Sequence, residues 1–567
     1  MLFRLFQLVL LFLNLYSTQK IFSLHPMSLF STGSLLICLL LADHARNAEK
    51  KYRVAGGICG MLLALLSSLS HYSLFLFSSF GASIFYVFLF TIGLGYAYSI
   101  IITFAYSRLA SLQLNTSKSA FSSRAIFVSS FLFILIVWSF FFLSCYPGIF
   151  NPDSVWQLEQ AMGDSPLSNH HPVVHTLLIR GIINLGTLLS NGNMMFATAL
   201  LSVIQMVFLS VCMAYSVATV YNIGVPLKWC VPIALFYALA PFNIIFSFTN
   251  LKDTWFAGFF LVLLSVLLKR IHNEGSYIPS GLDIFLFSVS ILGIGLFRSN
   301  GFFTIIALSP FFVFFYKRNR SFLIALLACI IICAVILGPV YNSLGVIAVD
   351  PVEYLSVPLQ QISRAIVDGG YISDSDYALI SKVIDPALIP SSYYSRISDN
   401  IKNLIRSSGD QQPLKNEKMA YFSLWLRLLK DNPFSYINAY IDLSNGFWYP
   451  EQTGVPYVVS MEPNPYDLYS KSLLPDFLST FAHAWTYSNN QTSFLGIFFS
   501  CGLYIWVFLF LFIFSFTKDR RLYIAFLPSL LLWATILLTT PVWSDIRYIH
   551  AIVVCIPILF VSFAKER

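Results

Sequence analysis

The sequence predicts an all-α polytopic membrane protein. Of its 567 residues, 57% are hydrophobic and 17% aromatic. Only 11% are charged, against roughly a quarter in ordinary soluble domains. Apolar runs recur at about the length that crosses ~30 Å of hydrocarbon, which predicts about fourteen transmembrane helices. These runs cover residues 5–17, 22–41, 54–71, 75–107, 125–144, 194–221, 229–247, 254–268, 284–297, 302–316, 321–338, 493–516, 522–541 and 548–563.

Basic residues predict which ends of these helices face the cytoplasm. With the N-terminus inside, 19 of the 34 Lys and Arg fall in inner loops. Apart from the long 339–490 stretch, only five fall in outer loops: Lys20, Arg180, Lys252, Arg298 and Arg547. The positive-inside rule therefore predicts that both termini are cytoplasmic. It also accounts for the net charge of +8, which is then no evidence for nucleic acid.

The N-terminal segment, residues 1–124, is predicted to be a scaffold of transmembrane helices. Its start resembles a signal sequence, but no small-x-small cleavage site follows, so we expect an uncleaved first anchor. The four apolar runs before residue 108 carry almost no charge within them and have faces rich in glycine and serine, as close helix packing would use. Gly56, Gly57 and Gly60 form one such face.

Ionisable residues begin in the next segment, residues 125–338, at its first outer loop of 145–193. Asp153 to Gly163 is predicted to form a short helix, with Asn151 or Asp153 near its N-terminus and apolar residues at helical spacing. Three histidines follow in the same loop, at 170, 171 and 175. A candidate site therefore starts where a membrane span stops.

Further outer turns carry charged side chains. Lys252 and Asp253 stand in one turn, and Arg298 stands with Asn300 at a break between two short apolar runs. Arg547 stands in the last outer turn, Trp543-Ser-Asp545-Ile-Arg547-Tyr548. Short or broken helices beside charged residues are how membrane proteins line polar cavities. We therefore expect Asp153, Asp253, Arg298 and Arg547 to border one outer cavity.

Residues 339–490 have a soluble-like composition and are predicted to form an extracytoplasmic, mostly helical domain. An amphipathic helix is predicted at 419–430. None of the nine cysteines falls in this stretch, which excludes a disulfide framework there. Residues 491–567 are predicted to add the C-terminal transmembrane helices.

Each candidate residue also has a purely structural interpretation. Asp153 is either a helix cap or a general base. The histidines are either interfacial side chains or contacts for phosphate or Asp153, since their spacing fits no standard metal site. Lys252 and Asp253 either pair with each other or take part in the site. Arg298 and Arg547 either anchor the helices at lipid headgroups or clamp a lipid-linked phosphate.

Sequence motifs exclude several enzyme classes. The chain has no Gly-x-x-x-x-Gly-Lys-Ser/Thr or Gly-x-Gly-x-x-Gly phosphate loop, no His-Glu-x-x-His and no Gly-x-Ser-x-Gly. Nucleotide hydrolysis, zinc proteolysis and serine esterase chemistry therefore have no support.

Several ordered motifs from about residue 125 to the C-terminus resemble a bacterial family of multi-pass membrane proteins that looks like the GT-C class of glycosyltransferases. The motifs are Tyr146-Pro-Gly-Ile-Phe-Asn-Pro-Asp153-Ser-Val-Trp-Gln157, His170-His-Pro-Val-Val-His-Thr176, Asn250-Leu-Lys-Asp253, Phe297-Arg-Ser-Asn-Gly301, Pro358-Leu-Gln-Gln-Ile-Ser-Arg-Ala365 and Gly446-Phe-Trp-Tyr-Pro450.

The resemblance implies a GT-C-like core and an inverting transfer from a polyprenyl-phosphate sugar on the outer face of the membrane. In that class a carboxylate of the first outer loop acts near the acceptor hydroxyl, and Asp153 is the match by position. The acidic pair usual in that loop is not evident, because the next acid is Glu159.

We therefore expect a glycosyltransferase of the bacterial plasma membrane, with a cell-envelope glycan or glycopolymer as acceptor and membrane lipids around it. Catalytic roles are expected for Asp153, His170 and His171, and donor-phosphate binding for Lys252, Arg298 and Arg547. Gln157, Asp253, Asn300 and His175 are expected to support them. No cofactor is expected, and ligand spacing does not support a divalent cation. The alternatives are a transporter or flippase for a lipid-linked sugar or wall precursor, and a structural partner in envelope assembly.

Overall fold

The computed structural model describes residues 2–21, 23–24, 29–75, 80–112, 121–273, 279–317, 319–450, 460–486 and 494–563. Within these residues the chain forms α-helices, short 3-10 turns and a π-helical turn at Ile336–Val340, with isolated β-bridges but no strand. The all-α fold class is therefore confirmed. Four of the basic residues counted for topology, Lys118, Arg318, Lys565 and Arg567, lie outside the described residues.

Eight of the described helices are long and apolar enough to cross a membrane, or nine if one bent pair counts as a single span. This composition fits a membrane-embedded protein. Four more apolar helices, α7, α12, α25 and α26 in the ranges given below, have 16 or 17 residues. The count of about fourteen stays a prediction.

The N-terminal scaffold contains four helices, in which α4 packs against the other three. A Cβ on Gly56 or Gly60 would collide with Thr103 or Ser99 of α4, so these glycines permit the close approach predicted from the sequence. Helix α3 also packs against α24 and so joins the scaffold to the rest of the bundle. The bounds are α1 Leu2–Ile21, α2 Leu29–Asn47, α3 Lys50–Ser70 and α4 Phe80–Ser111.

The next ten helices include α11, the most deeply buried candidate span. Its apolar window is 83% buried, and it packs against α8, α12 and α26. A sharp bend of 56° separates α9 from α10, and Pro241 starts α10. The bounds are α5 Ser123–Ser144, α6 Pro152–Met162, α7 Val173–Leu189, α8 Met194–Asn222, α9 Leu227–Leu239, α10 Pro241–Phe248, α11 Lys252–His272, α12 Gly281–Phe297, α13 Ser299–Tyr316 and α14 Arg320–Val335.

The segment predicted as the first outer loop contains two helices. The short helix expected over 153–163 is confirmed as α6, whereas α7 was not predicted. Its apolar pattern is interrupted by His175 and Arg180, which lowers its hydropathy. The Arg180 guanidinium donates to the carbonyls of Gln160 and Ala161 at the end of α6, so its charge ties α7 to α6.

Residues 351–444 of the soluble-like stretch fold into short helices, as predicted, and these pack around their own apolar core. The expected amphipathic helix is α21. At the two ends of the stretch, α15 continues the candidate span that contains α14, and α23 packs against α5 and α10 of the bundle. Hydrogen bonds hold this helical domain to the bundle. For example, Tyr440 Oη donates to the Leu537 carbonyl (3.2 Å), and the Ser398 amide donates to the Pro541 carbonyl (2.8 Å). The bounds are α15 Tyr341–Ser343, α16 Ser356–Val367, α17 Asp374–Ser381, α18 Ile389–Ser392, α19 Asp399–Ser408, α20 Gln412–Asn416, α21 Lys418–Asp431, α22 Pro433–Ser444 and α23 Asp476–Thr486.

Three helices complete the chain: α24 Cys501–Lys518, α25 Tyr523–Thr539 and α26 Ile546–Val561. Helix α26 packs against both α11 and α25. The starts of α6, α11, α13 and α26 and the ends of α12 and α25 meet around one cavity. The candidate site lies where these helix ends converge.

Candidate functional site

Asp153 stands in the first turn of α6 but does not cap it. The N-cap is Asn151, whose Oδ1 accepts from the Ser154 amide at 2.9 Å, and Pro152 takes the first helical position, where its missing N–H costs nothing. The left-handed backbone of Gly163 ends the helix. Because Asn151 performs the capping, the carboxylate of Asp153 is left for other contacts.

The start of α6 is fastened to the turn that precedes α11. The Ile149 amide donates to the Phe248 carbonyl (3.1 Å), and the Asn250 amide donates back to the Ile149 carbonyl (3.0 Å). Ser154 Oγ adds a short bond to the Asn250 carbonyl (2.5 Å). These bonds bring Asp153 beside the first residues of α11, although about a hundred residues separate the two segments in sequence.

Gln205 of α8 holds the end of the broken helix α10. Its amide nitrogen lies within hydrogen-bond distance of the carbonyls of Phe246, Ser247 and Thr249, among which its two hydrogens are shared. Its Oε1 accepts from Trp255 Nε1 at 3.1 Å. Carbonyls freed at a helix end inside a bundle need such partners. The amide of Gln205 therefore fixes the position from which Lys252 and Asp253 project.

Lys252 and Asp253 do not pair with each other. The buried Asp253 carboxylate lies 3.3 Å from Arg298 Nε and 4.0 Å from Arg547 Nε. Lys252 Nζ lies 2.6 Å from His171 Nδ1. Among the described residues, His171 is the only hydrogen-bond partner of Lys252, and no carboxylate lies within 4.0 Å of its ammonium group.

Arg298 occupies the break between α12 and α13, and its side chain is buried. Its Nη1 donates to the Tyr548 carbonyl at 2.9 Å, and its guanidinium lies 5.1 Å from the Tyr548 ring centroid. Gly301 allows the tight reversal, because a Cβ there would collide with the Ile294 carbonyl. Arg298 therefore points into the bundle rather than out to lipid headgroups.

Arg547, in the first turn of α26, joins three acids. Its Nη1 donates to Asp153 Oδ2 at 2.8 Å, and its Nε lies 3.4 Å from Asp545 Oδ2, in addition to its longer contact with Asp253. Asp545 is the N-cap of α26 and accepts from the Arg547 amide. Like Arg298, Arg547 therefore contacts groups inside the protein and does not act as an anchor at the lipid headgroups.

The rings of the adjacent histidines pack edge to face against each other and both contact Trp156. The His170 and His171 rings lie 4.7 Å apart, and each ring centroid lies about 5 Å from that of Trp156. An ammonium group has only donors, so Nδ1 of the buried His171 must accept from Lys252. His171 is then neutral, with its proton on Nε2.

One cavity of about 450 Å³ brings these side chains together. Eight of the ten predicted site residues line it: Asp153, His170, His171, Lys252, Asp253, Arg298, Asn300 and Arg547. The expectation that Asp153, Asp253, Arg298 and Arg547 border one cavity is therefore confirmed. The position of this cavity on the outer face of the membrane stays a prediction.

The two remaining predicted residues, Gln157 and His175, lie behind the cavity wall. Gln157 Nε2 donates to Thr176 Oγ1 (3.2 Å), and Gln157 Oε1 lies 3.1 Å from His175 Nδ1. Gln157 and His175 are buried and do not line the cavity; they join α6 to α7. Asn300 Nδ2 donates to Thr535 Oγ1 at 3.1 Å, which ties the start of α13 to α25.

Neighbouring charges set the protonation of the cavity. Partial burial alone would raise the pKa of Asp153, but the charges of Arg547 and Lys252 outweigh it and hold that pKa well below its usual range. Burial and the charge of Lys252 lower the pKa of His171, and burial lowers that of His170. At neutral pH the site therefore presents a carboxylate beside two neutral imidazoles.

A second wall of the cavity comes from the helical domain and was missed by sequence reasoning. It contains Tyr354, Asn403 and a salt-bridge network of Glu353, Asp399, Lys402 and Arg406. Lys402 and Arg406 stand four apart on α19, which predicts one helix face, but nothing in the sequence indicates what that face meets. Tyr548 and Asp545 were missed too, although the latter stands two residues before Arg547.

No group of three or more His, Cys, Asp or Glu side chains placed to hold a metal ion occurs in the described ranges. Comparison with known proteins gives one family match. Residues 161–567, more than two thirds of the chain, match the "Family of unknown function (DUF6020)". The match includes Lys252, Arg298 and Arg547 and begins after Asp153. No curated protein and no solved structure matches the chain. The chain therefore belongs to the DUF6020 family, whose function is unknown.

Proposed function

We propose that the protein is an inverting glycosyltransferase that moves a sugar from a polyprenyl-phosphate donor to a hydroxyl of a cell-envelope glycan, on the outer face of a bacterial plasma membrane. One observation carries the proposal: Asp153, Lys252, Arg298 and Arg547, from four separate stretches, line one cavity. A carboxylate among three cations is what transfer from a phosphate leaving group to a hydroxyl requires.

The reaction is a single in-line displacement at the anomeric carbon. The acceptor oxygen forms a bond to that carbon while the bond to the phosphate oxygen breaks, and the electron pair leaves with the lipid phosphate. Asp153 takes the proton of the acceptor hydroxyl. One displacement inverts the anomeric configuration. Asp253 is held between two arginines and serves to position them.

Lys252 is the primary contact for the donor phosphate. It is the cation of the cluster that has no carboxylate within 4.0 Å among the described residues. His171 holds its ammonium group through Nδ1 without neutralising it. An ammonium held in this way stabilises the charge that develops on the leaving phosphate, so His171 acts as a positioning residue.

Arg547 couples donor binding to the strength of the base. In the structure it holds Asp153 at 2.8 Å and keeps its pKa low, which makes the carboxylate a weak base. A phosphate beside Lys252 competes for the same guanidinium, because forked donors suit phosphate oxygens. Asp153 then loses its counter-ion and becomes more basic as the acceptor is attacked.

Charge balance favours a donor with a single phosphate. Asp153, Asp253 and Asp545 balance Lys252, Arg298 and Arg547 within the cluster. A phosphodiester adds one negative charge to this neutral group, whereas a diphosphate adds at least one more, without a matching cation. This argument selects a phosphate-linked sugar over a diphosphate-linked one.

The apolar edge of the cavity suits the lipid chain. Phe303 of α13 is 66% exposed, and Phe303 and Ile536 of α25 line the cavity beside the charged groups. An exposed apolar edge between two bundle helices offers a polyprenyl chain a path to the bilayer, while its phosphate stays at the helix ends.

The proposal is tested with the full-length protein in lipid nanodiscs, supplied with radiolabelled polyprenyl-phosphate sugars and a cell-envelope glycan extract. We expect transfer of label to the glycan, and a loss of about 10²–10⁴-fold in kcat for Asp153→Asn. Glu159→Gln, on the same helix but outside the cavity, is the matched control and should retain activity.

One result would reject the proposed role of Asp153, and another would reject the proposed activity. Full turnover by Asp153→Asn would remove that residue from catalysis. Movement of labelled donor across proteoliposomes without any transfer would instead establish a carrier. Against a carrier, Lys252, Arg298 and Arg547 stand at helix ends, whereas carriers hold ionisable groups near the middle of the bilayer.

A further inference from the structure

The second cavity wall consists of the polar face of α19 and the short helical turn that carries Tyr354. Asp399, Lys402, Asn403 and Arg406 project from one face of α19, while Ile401 and Ile405 of the opposite face enter the core of the helical domain. This wall is separate from the cation cluster around Lys252. His170 joins the two walls, since its Nδ1 lies 3.9 Å from Glu353 Oε1 and its ring contacts His171.

Lys402 holds the carboxylates of this wall in place. Its side chain is only 1% exposed, and its Nζ lies 3.1 Å from Glu353 Oε2 and 3.0 Å from Asp399 Oδ1. Arg406 binds Glu353 Oε1 from the other side and Asp350 at 3.2 Å. Both oxygens of Glu353 are therefore engaged, and the network is preorganised.

Three groups of this wall remain available to a ligand. Asp399 Oδ2 has no partner among the described residues, and the Asp399 side chain is 47% exposed. Asn403 uses Oδ1 to accept from Arg406, while its Nδ2 has no partner within the described ranges. The ring of Tyr354 is 58% exposed although it lines a cavity.

We propose that this wall binds a hydroxyl-rich, uncharged saccharide, and that Asp399, Asn403 and Tyr354 form the acceptor subsite of the transferase. The inference rests on the proposed function, which requires an acceptor hydroxyl near Asp153. Asp399 Oδ2 accepts from a sugar hydroxyl and Asn403 Nδ2 donates to another. The Tyr354 ring covers the apolar face of the sugar.

The charges of this wall leave no surplus cation for an anionic acceptor. Glu353 and Asp399 balance Lys402 and Arg406 in the cavity lining, and Arg406 also contacts a further carboxylate, that of Asp350. A uronic acid or a phosphate polymer would add like charge beside these carboxylates. A neutral saccharide satisfies the free donor and acceptor without that repulsion.

The test measures saccharide binding to the full-length protein in nanodiscs by saturation-transfer NMR. The probes are maltohexaose, cellohexaose and a mannohexaose, with hexagalacturonate as the anionic arm and hexaalanine as the peptide arm. We expect at least one neutral hexasaccharide to bind. Tyr354→Ala and Asn403→Ala should each weaken that binding about tenfold, as the loss of one aromatic or polar contact does.

Tyr371→Ala is the matched control, because Tyr371 is 69% exposed in the same helical domain and does not line the cavity. It should bind saccharide like the unmodified protein. Thermal unfolding checks that each variant is folded. Asp399→Asn is included as a further variant, because it removes the charge of the carboxylate while keeping the size of the side chain.

Several outcomes overturn the inference. These are no binding of any neutral probe, equal binding by Tyr354→Ala, and preferential binding of hexagalacturonate or hexaalanine. Failure of the proposed function looks different: polyprenyl phosphate would not bind and no sugar would be transferred, whether or not saccharide binds. Conversely, Tyr354→Ala should leave polyprenyl-phosphate binding unchanged, so the two walls are tested independently.

Discussion

The guanidinium of Arg547 donates to the carboxylate of Asp153 across 2.8 Å, joining residues 394 positions apart in the chain. The same guanidinium also faces Asp253 and Asp545. This one contact connects the start of α6 to the start of α26. It also holds the candidate base in its ionised form.

The Asp153–Arg547 pair should contribute measurably to stability. Arg547→Gln should lower the free energy of unfolding by about 1–3 kcal/mol, because it leaves carboxylates without their partner. Asp153→Asn should lower the free energy of unfolding by less than Arg547→Gln does, since Arg547 keeps its contacts with Asp253 and Asp545. A double-mutant cycle should give a coupling energy of about 1 kcal/mol.

Thermal unfolding in detergent measures these differences. Arg521→Gln is the control, since Arg521 pairs with its near neighbour Asp519 in a partly exposed position, where such a pair should contribute less than about 1 kcal/mol. Additive single effects, with no coupling, would show that the Asp153–Arg547 contact is not formed in the protein.

Lys252 should determine the affinity for polyprenyl phosphate. Lys252→Met should weaken binding by about 10- to 100-fold, the range expected for loss of one charged hydrogen bond. Lys252→Arg should retain part of the affinity, because it keeps the charge but loses the compact geometry at His171. Tryptophan fluorescence or a filter assay in nanodiscs measures the dissociation constant.

Lys382→Met is the corresponding control, because Lys382 pairs with Glu417 on the surface of the helical domain. It should bind polyprenyl phosphate normally. Unchanged affinity in Lys252→Met would move the phosphate site to Arg298 or Arg547.

Stability should fall as the pH drops below the ordinary pKa of histidine, 6.5. His171 faces Lys252, Arg547, Asp153 and His170, and its pKa in the folded protein is lowered. Below pH 6.5 the unfolded chain therefore binds a proton that the folded protein does not, which favours unfolding. Asp153, with its lowered pKa, contributes stability above the ordinary carboxyl value of 3.8 and loses it only at more acidic pH.

Melting temperatures measured from pH 8 to pH 5 test whether stability falls in this direction. Between pH 7 and pH 5, the melting temperature of His171→Asn should decrease by less than that of the unmodified protein. His483 is exposed, and the melting temperature of His483→Asn should decrease as much as that of the unmodified protein. Equal decreases in His171→Asn and the unmodified protein would mean that His171 is not held neutral by its surroundings.

The helix cap of α6 should matter for activity beyond its effect on stability. Asn151→Ala and Asn193→Ala each remove a side chain that accepts from the third residue of a helix, in α6 and α8 respectively. Each should cost about 1 kcal/mol of stability. Only Asn151→Ala should also lower turnover, because α6 positions Asp153.

Unfolding and transfer assays on the two variants separate these effects. Asn193 lies in the turn before α8 and does not line the cavity, so its variant reports on stability alone. Equal turnover in the two variants would show that Asp153 does not depend on its helix cap.

Much of the site could be predicted because polar side chains stand out in an apolar chain. Asp153, Lys252, Arg298 and Arg547 were all recognisable as charges beside membrane spans. Their pairing was not, since the sequence suggested that Lys252 and Asp253 pair with each other, whereas Asp253 faces two arginines. Helix α7 was missed for the opposite reason: the inward-facing His175 and Arg180 made an apolar helix look like a loop.

The sequence by itself determined the helical membrane class, the short helix at Asp153, the helical domain and the set of charged residues that form the site, because hydropathy and capping are local properties. Only the tertiary structure decided which charges meet. It placed Arg547 on Asp153, left Lys252 without a carboxylate among the described residues, and brought α19 across the cavity. These contacts join residues tens to hundreds of positions apart, and bundle packing sets their distances, which no local pattern encodes.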